Sequence, residues 1–221
     1  MILSENELGL IQETAEYVER ELRDAEAGHD WFHIERVWKT AKHIAAHEPT
    51  DRLVVELAAL LHDIADPKFH NNDEEIGPKT ARDFLYRKQL DPERLEHVVK
   101  IIENLSFKGG RQARTFSSAE LDVVQDADRL DALGAIGIAR AFNYGGFKNR
   151  KLYDPAIQPD MGMDKEAYRK STAPTLNHFY EKLLLLKDRM NTETGKRLAA
   201  GRHAFMQDFL RQFYAEWSGE C

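Results

Sequence analysis

The sequence predicts an all-α protein, and three observations carry that prediction. Apolar residues recur at spacings of three and four along most of the chain, capping residues stand in front of those stretches, and no alternating run marks a strand. Ser4 with Glu7 makes a capping box ahead of Leu8, Ile11, Ala15, Val18 and Leu22, which predicts a helix to about residue 26. Gly28-His29-Asp30 breaks it and serves as the entry to a second helix from about Trp31 to Ala46, with Val37, Ala41 and Ile44 on one face. After Pro49, Asp51 caps a third helix through Leu53–Leu61. It is apolar nearly all round, as a central core helix is, and Pro67 stops it.

Helices over about 73–87 and 92–104 follow, then the loop Phe107-Lys108-Gly109-Gly110-Arg111 and a long helix over about 118–140. The stretch 143–163, rich in Gly, Pro and aromatics, reads as a long irregular functional loop. Two helices over about 164–188 and 192–217 complete the chain and are expected to pack on the rest, making residues 1–221 one domain. The last carries Phe205, Phe209, Phe213 and Trp217 at spacing four, a face for the core or for a homodimer.

With 42% apolar and 31% charged residues among 221, the chain has enough material for a core of ordinary globular kind. A formal charge of −7 argues against a binder of nucleic-acid duplexes, though not against a local basic pocket. The one cysteine, Cys221, cannot form an internal disulfide, which fits a cytoplasmic protein. Residues Met1 to Glu7 lack the basic-then-apolar order of a signal peptide. The longest apolar run is far short of the roughly 18 residues a membrane span needs.

Helical periodicity places ionisable groups on apolar faces. His33 lines up with Val37, Ala41 and Ile44; His62 lines up with Val54, Ala58, Leu61 and Ala65, with Asp63 beside it and Asp66 one turn on. Asp128 lines up with Val124, Ala132 and Ala135. Burying such groups without partners costs several kcal/mol each. One divalent metal satisfies two imidazoles and two carboxylates together, whereas a core histidine with an ordinary hydrogen bond, or Asp128 paired with a neighbouring cation, satisfies them one at a time.

At these residues the sequence resembles the HD-domain metal-dependent phosphohydrolase superfamily, whose pattern is a His, a His-Asp pair ending an apolar helix, and a distant Asp. The words His29-Asp30-Trp31-Phe32-His33, Leu60-Leu61-His62-Asp63-Ile64-Ala65-Asp66 and Gln125-Asp126-Ala127-Asp128-Arg129-Leu130-Asp131 resemble small bacterial members that include nucleoside triphosphate pyrophosphohydrolases. The resemblance covers nearly the whole chain and implies an HD-type helical bundle. It implies His33, His62, Asp63 and Asp128 as ligands of a divalent ion (Mn, Ni, Fe, Co, Zn or Mg). Asp66 matches a position implied to act as general base, and with Asp63 makes up the catalytic candidates. Members with two metals carry extra histidines between the His-Asp pair and the last Asp. Here that interval holds only His70 and His97, which favours one ion.

The expected reaction is hydrolysis of a (deoxy)nucleoside triphosphate to monophosphate and pyrophosphate. The alternatives are a 5′-nucleotidase-like phosphomonoesterase or a regulatory module that binds nucleotides without turnover. Phosphate charge needs cations, and Lys68, Lys108, Arg111, Arg129, Arg140, Lys148 and Arg150 are candidates, with Tyr144 and Phe147 able to cover a base. Among these, Lys68, Arg129, Tyr144, Lys148 and Arg150 form the expected substrate set. The glycines of Tyr144-Gly145-Gly146-Phe147-Lys148 suit either a moving lid or a static wall.

Overall fold

The computed structural model describes residues 3–23, 30–65, 75–105 and 116–220, and no strand occurs among them. The all-α expectation holds. The chain divides into two compact units, Met1–Asp128 and Arg129–Cys221.

The first unit holds α1 (Glu5–Glu21), α2 (Trp31–Ala45), α3 (Arg52–Leu61), α4 (Ile76–Arg87), α5 (Pro92–Leu105) and most of α6 (Ala119–Asp131). The capping box forms: Ser4 Oγ accepts from Glu7 N at 3.3 Å, and Glu7 Oε2 accepts from Ser4 N at 2.8 Å. Ile11, Ala15, Val18 and Leu22 are buried, but Leu8 is 51% exposed and leaves the predicted stripe. α1 ends at Glu21, well before residue 26.

Asp51 caps α3 by accepting from Leu53 N and Val54 N. Its own N–H donates to Glu120 Oε1 at 2.8 Å, and Arg94 bridges Asp51 and Glu7, both at 2.8 Å. The starts of α3 and α6 are thereby tied together. Every residue of α3 from Leu53 to Leu61 is buried, including Glu56 at 1% exposure. That carboxylate accepts from Trp38 Nε1 at 2.8 Å and Arg52 Nε at 2.7 Å, with Lys42 Nζ at 3.9 Å. A buried charge is tolerable when it is paired in this way, and here the pairing fixes α2 on α3.

The second unit contains α7 (Gly134–Phe147), α8 (Lys165–Lys170), α9 (Asn177–Glu181), a 3-10 helix (Leu183–Arg189) and α10 (Glu193–Ser218). The single helix predicted over 118–140 is two. Leu133 is extended and Gly134 takes φ +72°, a left-handed value that ends the first helix. A Cβ on Gly137 would lie 2.2 Å from the Ala132 carbonyl oxygen, so the tight restart depends on glycine. Arg202 donates to the Leu130 carbonyl, and Arg140 pairs with the buried Asp131.

The irregular stretch begins at Lys148, because residues 143–147 form the last turn of α7. It is held down at several points: Thr175 N donates to Lys151 O at 2.9 Å, Leu176 N to Leu152 O at 3.0 Å, and Asn177 Nδ2 to Ile157 O at 3.1 Å. The helix predicted over 164–188 is broken into three short pieces. Pro174 lacks a donor and disfavours helix at the residue before it, and Ser171 is extended. α10 runs the expected length, from the Thr192 cap to a left-handed Gly219. Phe209 meets Phe142 and Phe179, and Tyr153 meets Phe213, Tyr214 and Trp217, while Phe205 and Trp217 stay about half exposed.

Tyr168 donates its hydroxyl hydrogen to His178 Nδ1. Burial pushes the tyrosine up to about 12. It drives the imidazole from 6.5 down to about 4, with Lys182 and Arg150 adding to the effect. The folded protein keeps His178 neutral where the unfolded chain would take a proton. Stability is therefore full above about pH 6.5 and falls as the pH drops toward about 4. The slope from this group is about 1.4 kcal/mol per pH unit. Urea melts across that range check it: His178→Asn is expected to flatten the slope, and an unchanged slope would contradict the assignment.

Candidate metal centre

α2 begins with Asp30, whose Oδ1 accepts from His33 N at 2.9 Å. The first turn that carries His33 is thus fixed by its own cap. His62 is the C-cap residue of α3, and Asp63 follows it. Asp128 lies in α6, as the last residue of the first unit.

These four residues converge. His33 Nε2 lies 3.8 Å from Asp63 Oδ2 and 3.6 Å from Asp128 Oδ1. His62 Nε2 lies 3.7 Å and 4.0 Å from the same two atoms. Ligand atoms of His33, His62 and Asp128 all fall within 4.8 Å of one another. The rings of His33 and His62 meet edge to face at 5.4 Å. Both imidazoles are buried, while the two carboxylates are partly open to solvent.

The protonation pattern suits a cation. His62 Nδ1 sits 2.9 Å from the Ala59 carbonyl, which makes Nδ1 the N–H donor and leaves a lone pair on Nε2. That Nε2 is buried with no hydrogen-bond partner among the described residues. It is the orphaned polar atom a metal would satisfy, and the backbone bond on the far nitrogen is how metal-bound imidazoles are oriented. Metal–ligand bonds of about 2.0–2.2 Å allow ligands on one ion to lie up to roughly 4.2 Å apart, and the four separations between imidazole and carboxylate fall within that reach. The donor set fits a divalent ion.

Asp66 and Lys68 lie outside the described residues, as do His70, Lys108 and Arg111. Arg129 opens the second unit and donates to the Arg189 carbonyl. Tyr144 belongs to the last turn of α7, and Lys148 and Arg150 to the turn after it; Lys148 Nζ stands 5.7 Å and Arg150 Cζ 5.8 Å from the Tyr144 ring centre. His97 bonds Ser118 Oγ at 2.9 Å and is not one of the clustered ligand candidates among the described residues. Periodicity alone missed the Glu56 clamp, although a lone charge inside the run Leu53–Leu61 was its signal.

Among the described residues the protein is helical, and it gathers imidazoles and carboxylates in a set that could hold a cation. The HD domain family model matches residues 31–133, which include all four convergent residues. Over 214 residues the chain is 39% identical to Bacillus subtilis YpgQ, covering 96% of both. The chain belongs to the HD-domain superfamily. An HD-superfamily hydrolase from Bacillus thuringiensis has 45% identity and a TM-score of 0.78, over 96% of this chain and 98% of its own. YpgQ has been solved in complex with ADP; that structure has 35% identity and a TM-score of 0.76, over 96% of each chain. Among the described residues no helix is long and apolar enough to cross a membrane.

Proposed function

We propose that the protein is a metal-dependent phosphohydrolase that cleaves (deoxy)nucleoside triphosphates to monophosphate and pyrophosphate. The observation that carries the reading is the buried Nε2 of His62, which has no hydrogen-bond partner among the described residues, with the Asp63 and Asp128 carboxylates 3.7 Å and 4.0 Å away. The ADP complex of YpgQ supports a nucleotide as ligand.

In this reading His33, His62, Asp63 and Asp128 hold one divalent ion. When bound, the ion supplies Lewis-acid polarisation of a phosphoryl oxygen and acidifies nearby water. Asp66 takes the proton from the attacking water as its oxygen bonds to the α-phosphorus. The bond from that phosphorus to the bridging oxygen breaks, and pyrophosphate leaves with the electron pair. Asp63, the other member of the catalytic pair, helps to orient that water. Lys68, Arg129, Lys148 and Arg150 offset the charge on the phosphate oxygens. The whole chain is proposed to act as one domain, a reading supported by its match to YpgQ over 96% of both lengths.

A panel of nucleotides with added Mn²⁺, resolved by product, tests the reaction. Equal yields of monophosphate and pyrophosphate are expected. Orthophosphate as the sole inorganic product would replace this reaction with a phosphomonoesterase, and binding without turnover would leave a regulatory module.

A further inference from the structure

We propose that the end of α7 is a preformed shelf for a nucleotide: the rings of Tyr144 and Phe147 stack the base, and Lys148 and Arg150 hold its phosphates. The inference deepens the proposed activity and rests on it for the class of ligand.

The shelf is built by the way α7 stops. Arg150 N donates to Gly145 O at 2.8 Å and Asn149 N to Gly146 O at 3.0 Å, while Asn149 takes φ +53°. This is a Schellman reversal, the usual close of a helix in which one residue turns left-handed. It returns the chain on itself, so that Lys148 and Arg150 approach the same ring. Lys148 Nζ lies 5.7 Å from the Tyr144 ring centre and 4.9 Å from that of Phe147; Arg150 Cζ lies 5.8 Å from Tyr144. The helix end cannot loosen easily. A Cβ on Gly145 would meet Thr175 Oγ1 at 2.0 Å, so glycine there serves close packing. Arg150 is anchored by donating to the Ser171 carbonyl at 2.6 Å. A rigid wall, not a moving lid, follows from this geometry.

Charge identifies the occupant. The chain carries −7, and many of its described cations touch a carboxylate, as in Arg52–Glu56, Arg94–Asp51 and Lys151–Asp154. Lys148 and Arg150 have aromatic rings as neighbours and no carboxylate partner among the described residues. The rings are open: Tyr144 is 50% and Phe147 65% exposed. Half-exposed rings, with two cations over them that have no carboxylate partner among the described residues, suit a flat heteroaromatic ligand bearing anionic groups. Stacking reads ring area and not hydrogen-bonding edges, so the shelf accepts all bases, purines somewhat better.

Calorimetric titration of the full-length protein with ADP in EDTA tests this without any turnover. Tyr144→Ala and Phe147→Ala are each expected to weaken ADP about tenfold, with Tyr144→Phe close to wild type. Lys148→Met is expected to weaken ADP several-fold and leave adenosine unchanged. GDP, CDP and UDP are expected within about tenfold of ADP. Lys196→Met, on exposed α10, is the control. Absence of ADP binding by the wild type, ADP affinity unmoved by both ring substitutions, or a hundredfold preference for one base would each overturn the shelf. Hydrolysis with Mn²⁺ is scored separately. Turnover with shelf variants that bind normally sinks the shelf alone, and shelf-dependent binding without turnover sinks the proposed reaction alone.

Discussion

Asp128→Ala is expected to lower turnover about a thousandfold and to abolish the thermal stabilisation that divalent metal gives the wild type. The side chain faces both imidazoles, 3.6 Å from His33 Nε2 and 4.0 Å from His62 Nε2, so its loss removes one of the negative charges that would balance a cation. It is also partly exposed, so its removal opens no large internal cavity. Metal at about a hundred times its dissociation constant stabilises the folded state by about 2.7 kcal/mol. For a chain of this size that is roughly 5–10 °C in Tm. The measurement is a pair of melts, with Mn²⁺ and with EDTA, for wild type, His62→Ala and Asp128→Ala. Wild type is expected to lose several degrees in EDTA and both variants almost nothing. Equal losses in all three would mean that these residues do not hold the ion.

Phe179→Ala is expected to cost about 4 kcal/mol of stability, the middle of the range for truncating a buried aromatic. Phe179 is fully buried in the second unit, with ring centres 5.8 Å from Phe142 and 5.9 Å from Phe209. Those neighbours sit on α7 and α10, which cannot close over the lost ring without moving whole helices. Phe205→Ala is the comparison, because Phe205 is 52% exposed and its truncation should change stability by about 0.5 kcal/mol or less. Denaturant midpoints at constant slope separate the two. A loss under about 1 kcal/mol for Phe179→Ala would mean that the cluster does not carry the packing described here.

The convergent histidines and carboxylates were legible because their helices obey simple periodicity. His33 shares its face with Val37, Ala41 and Ile44, all buried, and His62 closes a helix that is core from Leu53 to Leu61. Burial on such faces forces a shared solution, and the four residues do come together. Helix boundaries were less legible. The break at Leu133-Gly134 lies within a continuous apolar pattern, and only the left-handed φ of Gly134 reveals it. The segment 164–188 keeps helical composition, yet Pro174 and the ties from Thr175 and Leu176 to Lys151 and Leu152 divide it. Those ties join residues more than twenty positions apart, which no local pattern encodes. Gly145 and Gly146 illustrate the same limit: adjacent, identical in sequence, one pressed against Thr175 and the other facing open space.

That last contrast gives the protein a ready place for a reporter. A Cβ at Gly146 meets nothing within 4 Å, and its φ lies in the range open to ordinary residues. Cys221 is the sole native thiol. With Cys221 replaced by serine, a thiol at position 146 would carry a fluorophore one residue from Phe147, where quenching or release would follow occupancy of the α7 end in real time.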